Sequence, residues 1–294
     1  MPRNDNAFIK LHLSILLAGA TGLFGRFISL GELPLVWYRV MIGALVLTIV
    51  LACSRKLRMP KGKDLLKIAG CGLLLSVHWV FFYGSIKAAN VSIGVVCFAV
   101  VGFFTALLEP LLGRQKVSGT ELGLSLITMA GILFIFGFDA HYRYGIMLGM
   151  ASSVLYSLFS ISSKRVVSTT GADASTMLLI ELLGGVVALS LAMPIFLAAH
   201  PEAAIVPVGN DWWLLPLFAS VFTVLPFLLQ LQALRSISAF TVNLSYNLEP
   251  VYSIILAAYF FAEAQQMGWP FWIGLALIVL SVLLQTRRQL KTRS

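Results

Sequence analysis

The chain has 294 residues, of which 59% are apolar and 11% are charged, and its formal net charge is +9. A soluble domain is about 45–50% apolar and about 25% charged, so this composition excludes a soluble globular fold. The positive charge would suggest a nucleic-acid partner in a soluble protein, and its distribution along the chain decides what it means here.

Ten apolar stretches follow one another along the chain, each long enough for a helix that crosses a bilayer. A hydrocarbon core of about 30 Å needs about 20 helical residues. The connections are short, and no linker or separate soluble domain is predicted. The first stretch leads into many more and is interpreted as a span, not a cleaved signal peptide. The predicted spans are 10–30, 34–53, 65–88, 91–112, 118–138, 144–164, 174–198, 212–234, 239–262 and 269–286.

The lysine and arginine residues predict how these spans are oriented. With a cytoplasmic N-terminus, seventeen of the 21 basic residues fall in cytoplasmic segments, as the positive-inside rule expects. Lys87 and Arg143 fall in outer loops, while Arg26 and Arg39 lie within spans near their outer ends. Both termini are therefore predicted to be cytoplasmic. The positive charge is a topology signal, and no nucleic-acid partner is predicted.

The two halves of the chain resemble each other weakly. At an offset of 148 residues, SIKAANVS (85–92) aligns with ALRSISAF (233–240), which places Asn90 on Ser238. The hydropathy agrees throughout, with five spans in each half. An odd number of spans forces the second copy to insert upside down, and inverted repeats are typical of secondary transporters. We predict an all-α integral membrane protein of ten transmembrane helices in two inverted five-helix repeats, residues 1–139 and 140–294.

Four segments carry a family resemblance. They are LPLVWYRVMIGALVL (33–47), the turn IKAANVSIG after span 3, the ninth span with Pro250, and FFAEAQQMGWPFWIGLALIVLSVLL (260–284) with Glu263 and Gly274. On these residues the chain resembles the drug/metabolite transporter (DMT) superfamily, specifically its EamA-type members. The first copy departs from the family pattern, with Gly102 where a proline is common and Arg114 near the expected acidic residue.

Within the superfamily the chain is most similar to the YddG-type aromatic amino-acid exporters. This narrower resemblance is based on the length of the chain, the basic loop 55–67 and the aromatic-rich middle spans. It implies a multi-pass protein of the bacterial inner membrane that exports its substrate through a central cavity framed by both repeats.

Glu249, followed directly by Pro250, is the most unusual feature of the spans. It lies about ten residues into span 9, which is about 15 Å and close to the midplane. A carboxylate there costs about 2.5–3.5 kcal/mol on insertion scales, so it either binds a substrate amine or a proton or makes a structural hydrogen bond. Pro250 removes the helical donor for the Tyr246 carbonyl and predicts a kink.

The other candidate binding residues are polar or aromatic side chains within spans. Asn243, Tyr246, Asn247 and Pro250 share one helical face, which indicates a cavity wall or interhelical hydrogen bonds. In span 3, Trp79 and Tyr83 share a face with His78 beside them, and their depth favours a wall for stacking over packing or interface anchoring. A buried neutral histidine satisfied by a neighbour is the commoner interpretation of His78. Tyr156 in span 6 is a candidate by analogy only.

Two charged residues keep alternative interpretations. Arg39 lies toward the outer side near Glu32, and it either steers a substrate carboxylate or forms an ion pair with Glu32. Glu181 in span 7 lies about 10 Å deep and is compatible with packing or with a pathway.

Motifs of other protein classes are absent from the sequence. It has no HExxH, GxSxG or Walker motif, so neither an enzyme nor an ATP-driven pump is predicted. The four histidines are spread along the chain, and we predict no metal site and no cofactor. A channel filter is also missing.

We therefore predict a secondary transporter that works by alternating access around a central cavity. Its predicted partners are a small-molecule substrate, with aromatic or large apolar amino acids first, and the lipid bilayer. The alternatives are a multidrug or organic-cation exporter and, with less support, a nucleotide-sugar exchanger, whose phosphates would require more intramembrane cations than Arg26 and Arg39. The sequence does not predict whether a proton gradient drives transport, and it does not predict the oligomeric state.

Overall fold

The computed structural model describes residues 4–55, 59–60, 62–113, 116–136, 142–261 and 269–291, and every element within these ranges is a helix. Each predicted span coincides with one helix or with consecutive helical segments. In the first half these are α1 (Asn4–Ala18), α2 (Thr21–Phe27), α3 (Glu32–Cys53), α4 (Lys63–Ala88), α5 (Val91–Phe98), α6 (Val101–Gly113) and α7 (Gly119–Phe136).

The second half contains longer helices and two irregular helical turns. A π-helical turn, Ser220–Val224, separates α10 from α11, and a 3-10 turn, Tyr246–Leu248, separates α12 from α13. The α-helices are α8 (Arg143–Thr170), α9 (Ala174–Ala199), α10 (Asp211–Ala219), α11 (Leu225–Leu234), α12 (Ala239–Ser245), α13 (Glu249–Phe261) and α14 (Trp269–Lys291). Arg114 and Glu263, which entered the family resemblance, lie outside the described residues.

Seven helical stretches within the described residues have the length and hydropathy to cross a membrane. Two further apolar stretches, Gly119–Phe134 and Trp272–Ser281, are shorter. The molecule is thus a multi-pass helical membrane protein, and the count of ten spans stays a prediction. The seven stretches are Asn6–Phe27, Glu32–Cys53, Lys63–Ala88, Val91–Gly113, Arg143–Thr170, Ala174–Ala199 and Asp211–Leu234.

The distribution of polarity is the one expected of a protein surrounded by lipid. On α9, Val187, Leu191 and Ile195 follow one another at one-turn spacing and are 61%, 74% and 75% exposed. By contrast, α8 buries a serine-rich face made of Ser152, Ser153, Ser157, Ser160 and Ser163. Because lipid cannot satisfy hydrogen bonds, polar groups turn inward and apolar groups outward.

Two broken helices, α5–α6 and α12–α13, share their local design. Asn90 caps α5 by accepting the Ile93 N–H at 2.8 Å, and Ser238 caps α12 by accepting the Thr241 N–H at 3.1 Å. These cap residues are 148 positions apart, as are the first residues of α6 and α13. Each half of the chain therefore contains a helix that begins at a capping residue and is then interrupted, and both features are separated by 148 residues between the halves.

The helices of the two halves pack into each other. α5 packs against α13 and α6 packs against α12, so the broken helices cross in opposite directions. α4 packs against α8 and α9, while α11 packs against α1 and α10 packs against α3. The contact of α4 with α8 is thus matched by the contact of α11 with α1, and the contact of α4 with α9 is matched by the contact of α10 with α3.

The long connection between α9 and α10 closes one end of the bundle. Buried Asp211 accepts hydrogen bonds from the Ser29 hydroxyl at 2.5 Å, the Ser29 N–H at 3.2 Å and the Val208 N–H at 3.2 Å. The Gly31 N–H donates to the Ala204 carbonyl at 2.8 Å. This set of contacts, which we call the Asp211 latch, ties the α2–α3 connection of the first half to the second half.

We expect Gly72→Ala to lower the free energy of unfolding by about 1–3 kcal/mol, and with it the melting temperature. Gly72 lies where α4 meets α9, and a Cβ atom there would stand 1.9 Å from the Glu181 carbonyl oxygen, so backbone would have to shift. Gly70→Ala is the matched control, because nothing lies within 4 Å of a Cβ at this exposed position of α4. Melting curves in detergent should separate the variants, and equal melting temperatures would show that the helices do not meet at Gly72.

Candidate functional site

A small cavity of about 30 Å³ lies among the central helices. A volume of this size holds about one or two water molecules and is far smaller than an amino acid. Its wall is mainly aromatic, with a few polar side chains. The lining residues are Ala18, Thr21, Arg39, His78, Trp79, Phe82, Phe98, Tyr156, Phe222, Pro226, Phe227, Tyr246 and Glu249.

Glu249 is the one carboxylate among the described lining residues. It is the first residue of α13, and Pro250 follows it in the first turn, where a proline needs no helical hydrogen bond. The side chain is 4% exposed; within the described part of the chain it makes no direct hydrogen bond and no ion pair within 4 Å, but it lies within electrostatic range of Arg39. A buried acceptor without a partner is costly, so this carboxyl group is suited to binding something from the cavity.

Arg39 is the one permanent cation among the described lining residues. Its guanidinium carbon lies 3.8 Å from the ring centroid of Trp79 and 4.4 Å from that of Phe218, which is a cation–π sandwich. Nε donates to the Thr223 hydroxyl at 2.7 Å and Nη1 donates to the Tyr83 hydroxyl at 3.0 Å. Arg39 is therefore held rigidly at the cavity wall.

The π-helical turn positions Thr223 for this role. Pro226 has no N–H for the carbonyl four residues earlier, and its ring clashes with a regular turn, so the helix widens before it. In the widened turn, the Thr223 hydroxyl donates to the Phe218 carbonyl at 2.8 Å and accepts from Arg39. The irregularity of α10–α11 thus turns a hydroxyl toward the arginine.

A chain of hydrogen bonds joins four predicted spans beside the cavity. The Gln230 amide donates to the Tyr156 hydroxyl at 2.6 Å, and the Tyr246 hydroxyl donates to the Gln230 carbonyl oxygen at 3.2 Å. The Ser14 hydroxyl lies 2.6 Å from the Tyr246 hydroxyl and 2.8 Å from the Pro226 carbonyl oxygen, and its one proton can be donated to either of them. We call Ser14, Tyr156, Gln230 and Tyr246 the tyrosine–glutamine chain.

His78 is satisfied by α8 and surrounded by aromatic rings. Its Nδ1 lies 3.0 Å from the Ser152 carbonyl oxygen and 2.8 Å from the Ser152 hydroxyl, so this nitrogen has a hydrogen-bond partner whether or not it carries the proton. The ring centroids of Phe98 and Tyr156 lie 5.3 Å and 4.8 Å from that of His78. His78 thus matches the satisfied, buried histidine of the sequence analysis and still forms part of the cavity wall.

The structure brings six of the predicted binding residues to one cavity and distributes the others. Arg39, His78, Trp79, Tyr156, Tyr246 and Glu249 line it. Tyr83 lies behind the wall and accepts from Arg39. No hydrogen bond or ion pair joins Arg39 to Glu32 in the described part of the chain, so the alternative of a Glu32 ion pair does not apply to Arg39.

The polar stripe of span 9 does not form a single wall. Asn243 donates to the Thr105 hydroxyl of α6 at 2.8 Å, which is the interhelical alternative. The side chain of Asn247 lies outside the described residues. The predicted free carbonyl of Tyr246 accepts the Glu249 N–H across the 3-10 turn, because the tighter turn replaces the donor that Pro250 lacks. Pro250 is the second residue of α13, directly after this break in the helix.

Thr223, Gln230 and Phe218 belong to the site although the sequence analysis did not select them. The available signal was polarity, because Gln230 and Gln232 are amides in an apolar span. Only burial separates the two, since Gln230 is 1% exposed and Gln232 is partly exposed. Among the described residues, no group of three His, Cys, Asp or Glu side chains is arranged to hold a metal ion.

A multi-pass helical bundle that encloses polar groups and an unpaired carboxylate has the features of a membrane transporter. The chain belongs to the EamA-like transporter family, whose match covers residues 7–137 and 143–287. Proteins of this family are transporters of small molecules and not enzymes.

Comparison with other proteins adds the fold but no substrate. A solved crystal structure, described only as that of a protein, superimposes with a TM-score of 0.73 over 98% of this chain and 99% of its own, at 18% sequence identity. A likeness at this identity concerns the fold alone. No curated protein matches the chain significantly, and the narrower resemblance to YddG-type exporters is not supported.

We expect Gln230→Leu to destabilise the protein by about 1–3 kcal/mol. The change leaves the buried Tyr156 hydroxyl without its amide donor and takes the acceptor of Tyr246 away. Gln232→Leu in the same helix is the control, because Gln232 is less buried and its side chain makes no hydrogen bond in the described part of the chain. Thermal unfolding of both variants in the same detergent tests this, and an equal loss would contradict a special role of Gln230.

Proposed function

We propose that the chain is an inner-membrane exporter of amino acids with aromatic or large apolar side chains. The observation that carries the proposal is the pair formed by Glu249 and Arg39 on one aromatic cavity. A carboxylate suits the ammonium group of an amino acid, and a guanidinium suits its carboxylate. Trp79, Phe98 and Phe227 supply rings against which an apolar or aromatic side chain can stack.

The cavity volume supports alternating access. A space of about 30 Å³ cannot hold an amino acid, so we propose that the cavity widens toward one side of the membrane and then toward the other during transport. The Asp211 latch closes one end, and the tyrosine–glutamine chain ties four helices together beside the cavity. Opening would break these hydrogen bonds in exchange for contacts with the substrate.

We further propose ten spans arranged as two inverted five-span repeats, residues 1–139 and 140–294, with both termini in the cytoplasm of a bacterium. Three observations support this: the equal offset of the capped, broken helices, their crossing in opposite directions, and a family match in two consecutive segments. The orientation relies on the lysine and arginine distribution alone.

The second candidate is export of organic cations. It is favoured by the combination of one unpaired carboxylate with many aromatic rings, which also binds hydrophobic cations. Arg39 on the same wall would repel such a ligand, so we rank it below a zwitterion. A nucleotide sugar ranks lower still, because Arg39 is the one permanent cation among the described lining residues.

Counterflow in proteoliposomes tests the proposal. Vesicles loaded with one unlabelled compound at a time, from a panel of amino acids and tetraphenylphosphonium, are offered the same compound in labelled form, with protein-free vesicles as the control. We expect uptake of phenylalanine, tryptophan or leucine. Uptake of tetraphenylphosphonium alone would replace the amino-acid proposal by the cation alternative, and no uptake of either would contradict both.

A further inference from the structure

Glu181 is a second buried carboxylate, located away from the cavity wall. It lies in α9, which packs against α4, and it is 0% exposed. The Ser163 hydroxyl donates to its Oε1 at 2.8 Å, while Oε2 has no hydrogen-bond partner. No ion pair of Glu181 with a lysine, arginine or histidine occurs within the described residues. A fully buried carboxyl group without a cation is most stable in its neutral, protonated form.

The position of Glu181 is fixed by tight helix packing. Its carbonyl oxygen stands against Gly72 of α4, where even a Cβ atom would have no room. One turn further along α9, Gly185 has similar close contact with Ser76 of α4. In this position the carboxyl group has no contact with the surface of the protein.

A row of hydroxyl groups on α8 leads from Glu181 to the cavity. Tyr156, Ser160 and Ser163 follow one another at spacings of four and three residues, so they share one face of α8, and all are buried. Ser163 contacts Glu181, and Tyr156 lines the cavity that Glu249 also lines. The Ser160 hydroxyl between them has no hydrogen-bond partner. Two unsatisfied polar atoms, Glu181 Oε2 and Ser160 Oγ, thus lie along this face.

We propose that Glu181 is a proton-binding site, and that the Tyr156–Ser160–Ser163 face connects it to the central cavity. This inference extends the proposed transport function by assigning its coupling ion. A carboxyl group that served only to hold α8 and α9 together would have both oxygens satisfied. Oε2 is free to carry the proton that Glu181 binds. A serine hydroxyl relays a proton by accepting one while it donates its own, so transfer along this face requires water or a change of rotamer that joins Ser160 to Ser163 and Tyr156.

The neighbours of Glu181 identify the groups that could take part in its titration. Cys71 of α4 and Tyr156 of α8 are within electrostatic range of its carboxyl group. In the described parts of α3 and α11, which also pack on α9, no titratable side chain interacts with it. Glu181 is therefore the acidic group of this cluster, and Ser163 is its direct partner.

Infrared spectroscopy tests proton binding without any transported substrate. The difference spectrum between acidic and alkaline pH, recorded in lipid vesicles, should contain a protonated-carboxyl band that is missing in Glu181→Gln. Glu202→Gln, at an exposed position of the α9–α10 connection, should keep this band. If Glu181→Gln does not fold, Glu181→Asp should shift the band. A spectrum that neither substitution at 181 alters would overturn the proposal.

Transport then tests the coupling. We expect wild-type vesicles to accumulate labelled phenylalanine in response to a pH gradient, and Glu181→Gln to retain counterflow at equal pH while losing that accumulation. An equal gradient response in both proteins, or a wild-type response to sodium and not to pH, would overturn the coupling. If wild-type vesicles do not move phenylalanine at all, the proposed substrate is wrong, while the infrared result still decides whether Glu181 binds a proton.

Discussion

Glu249→Gln should reduce amino-acid counterflow by about ten- to a hundredfold. The amide has the size of the carboxyl group but no charge, so the loss is that of one charge-assisted hydrogen bond to the substrate ammonium, about 1.5–3 kcal/mol. The change in stability should be small, because Glu249 makes no direct hydrogen bond or ion pair in the described part of the chain and only attracts Arg39 over a longer distance. A large loss of function with a small change in melting temperature is thus the expected signature.

The measurement compares wild type, Glu249→Gln, Glu249→Asp and the exposed control Glu202→Gln at equal amounts of reconstituted protein. Glu249→Asp keeps the charge on a shorter side chain and should retain part of the rate. Wild-type rates in Glu249→Gln would remove Glu249 from the site, and the central argument for the proposed function would go with it.

Replacement of Arg39 should reduce both stability and substrate selection. Arg39→Lys keeps a positive charge but cannot stack flat between Trp79 and Phe218 while donating to Thr223 and Tyr83. Loss of the desolvated cation–π contacts and of one charged hydrogen bond costs about 2–4 kcal/mol. Tyr83→Phe removes one acceptor of Arg39 and a long, 3.4 Å hydrogen bond to the Thr21 carbonyl. It should cost less, so a graded series of melting temperatures is expected.

Substrate selection separates a binding role of Arg39 from a structural one. If Arg39 binds the substrate carboxylate, wild type should prefer phenylalanine to phenethylamine, which lacks that group, and Arg39→Leu should lose the preference. Competition of the two compounds in the counterflow assay measures it. An unchanged preference, together with a lower melting temperature, would assign Arg39 to structure alone.

The helices follow from the sequence more completely than the site does. Hydropathy predicts segments such as 174–198, which corresponds to α9 (Ala174–Ala199), because lipid imposes one strong constraint on every residue of a span. Glu249 and Arg39 could be selected for a similar reason, since charges in spans are rare. Which way a side chain points is a different matter. Asn243 is as polar as a cavity residue, but its side chain donates a hydrogen bond to Thr105 of another helix. No pattern in the sequence around Asn243 predicts that partner.

Local irregularities account for most of what the sequence did not predict. The widened turn at Ser220–Val224 changes the register of α11 relative to α10, so a regular helical wheel misplaces Thr223 and Gln230. Likewise, the 3-10 turn at Tyr246–Leu248 gives the Tyr246 carbonyl a new donor. Proline predicts that a helix changes near Pro226 and Pro250, but tertiary packing decides which irregular turn is used.

The matched breaks of α5–α6 and α12–α13 have a consequence for how direction is set. The capped starts recur at an offset of 148 residues, yet at that offset Glu249 corresponds to Val101. The helix breaks thus recur at one offset, whereas the charged cavity residues do not: the first half supplies Arg39 and the second half supplies Glu249. If the two broken helices move as equivalent parts, their motion favours neither direction, and a preference for outward flow must come from the gradients that act on the unevenly distributed charged groups, Glu181, Glu249 and Arg39.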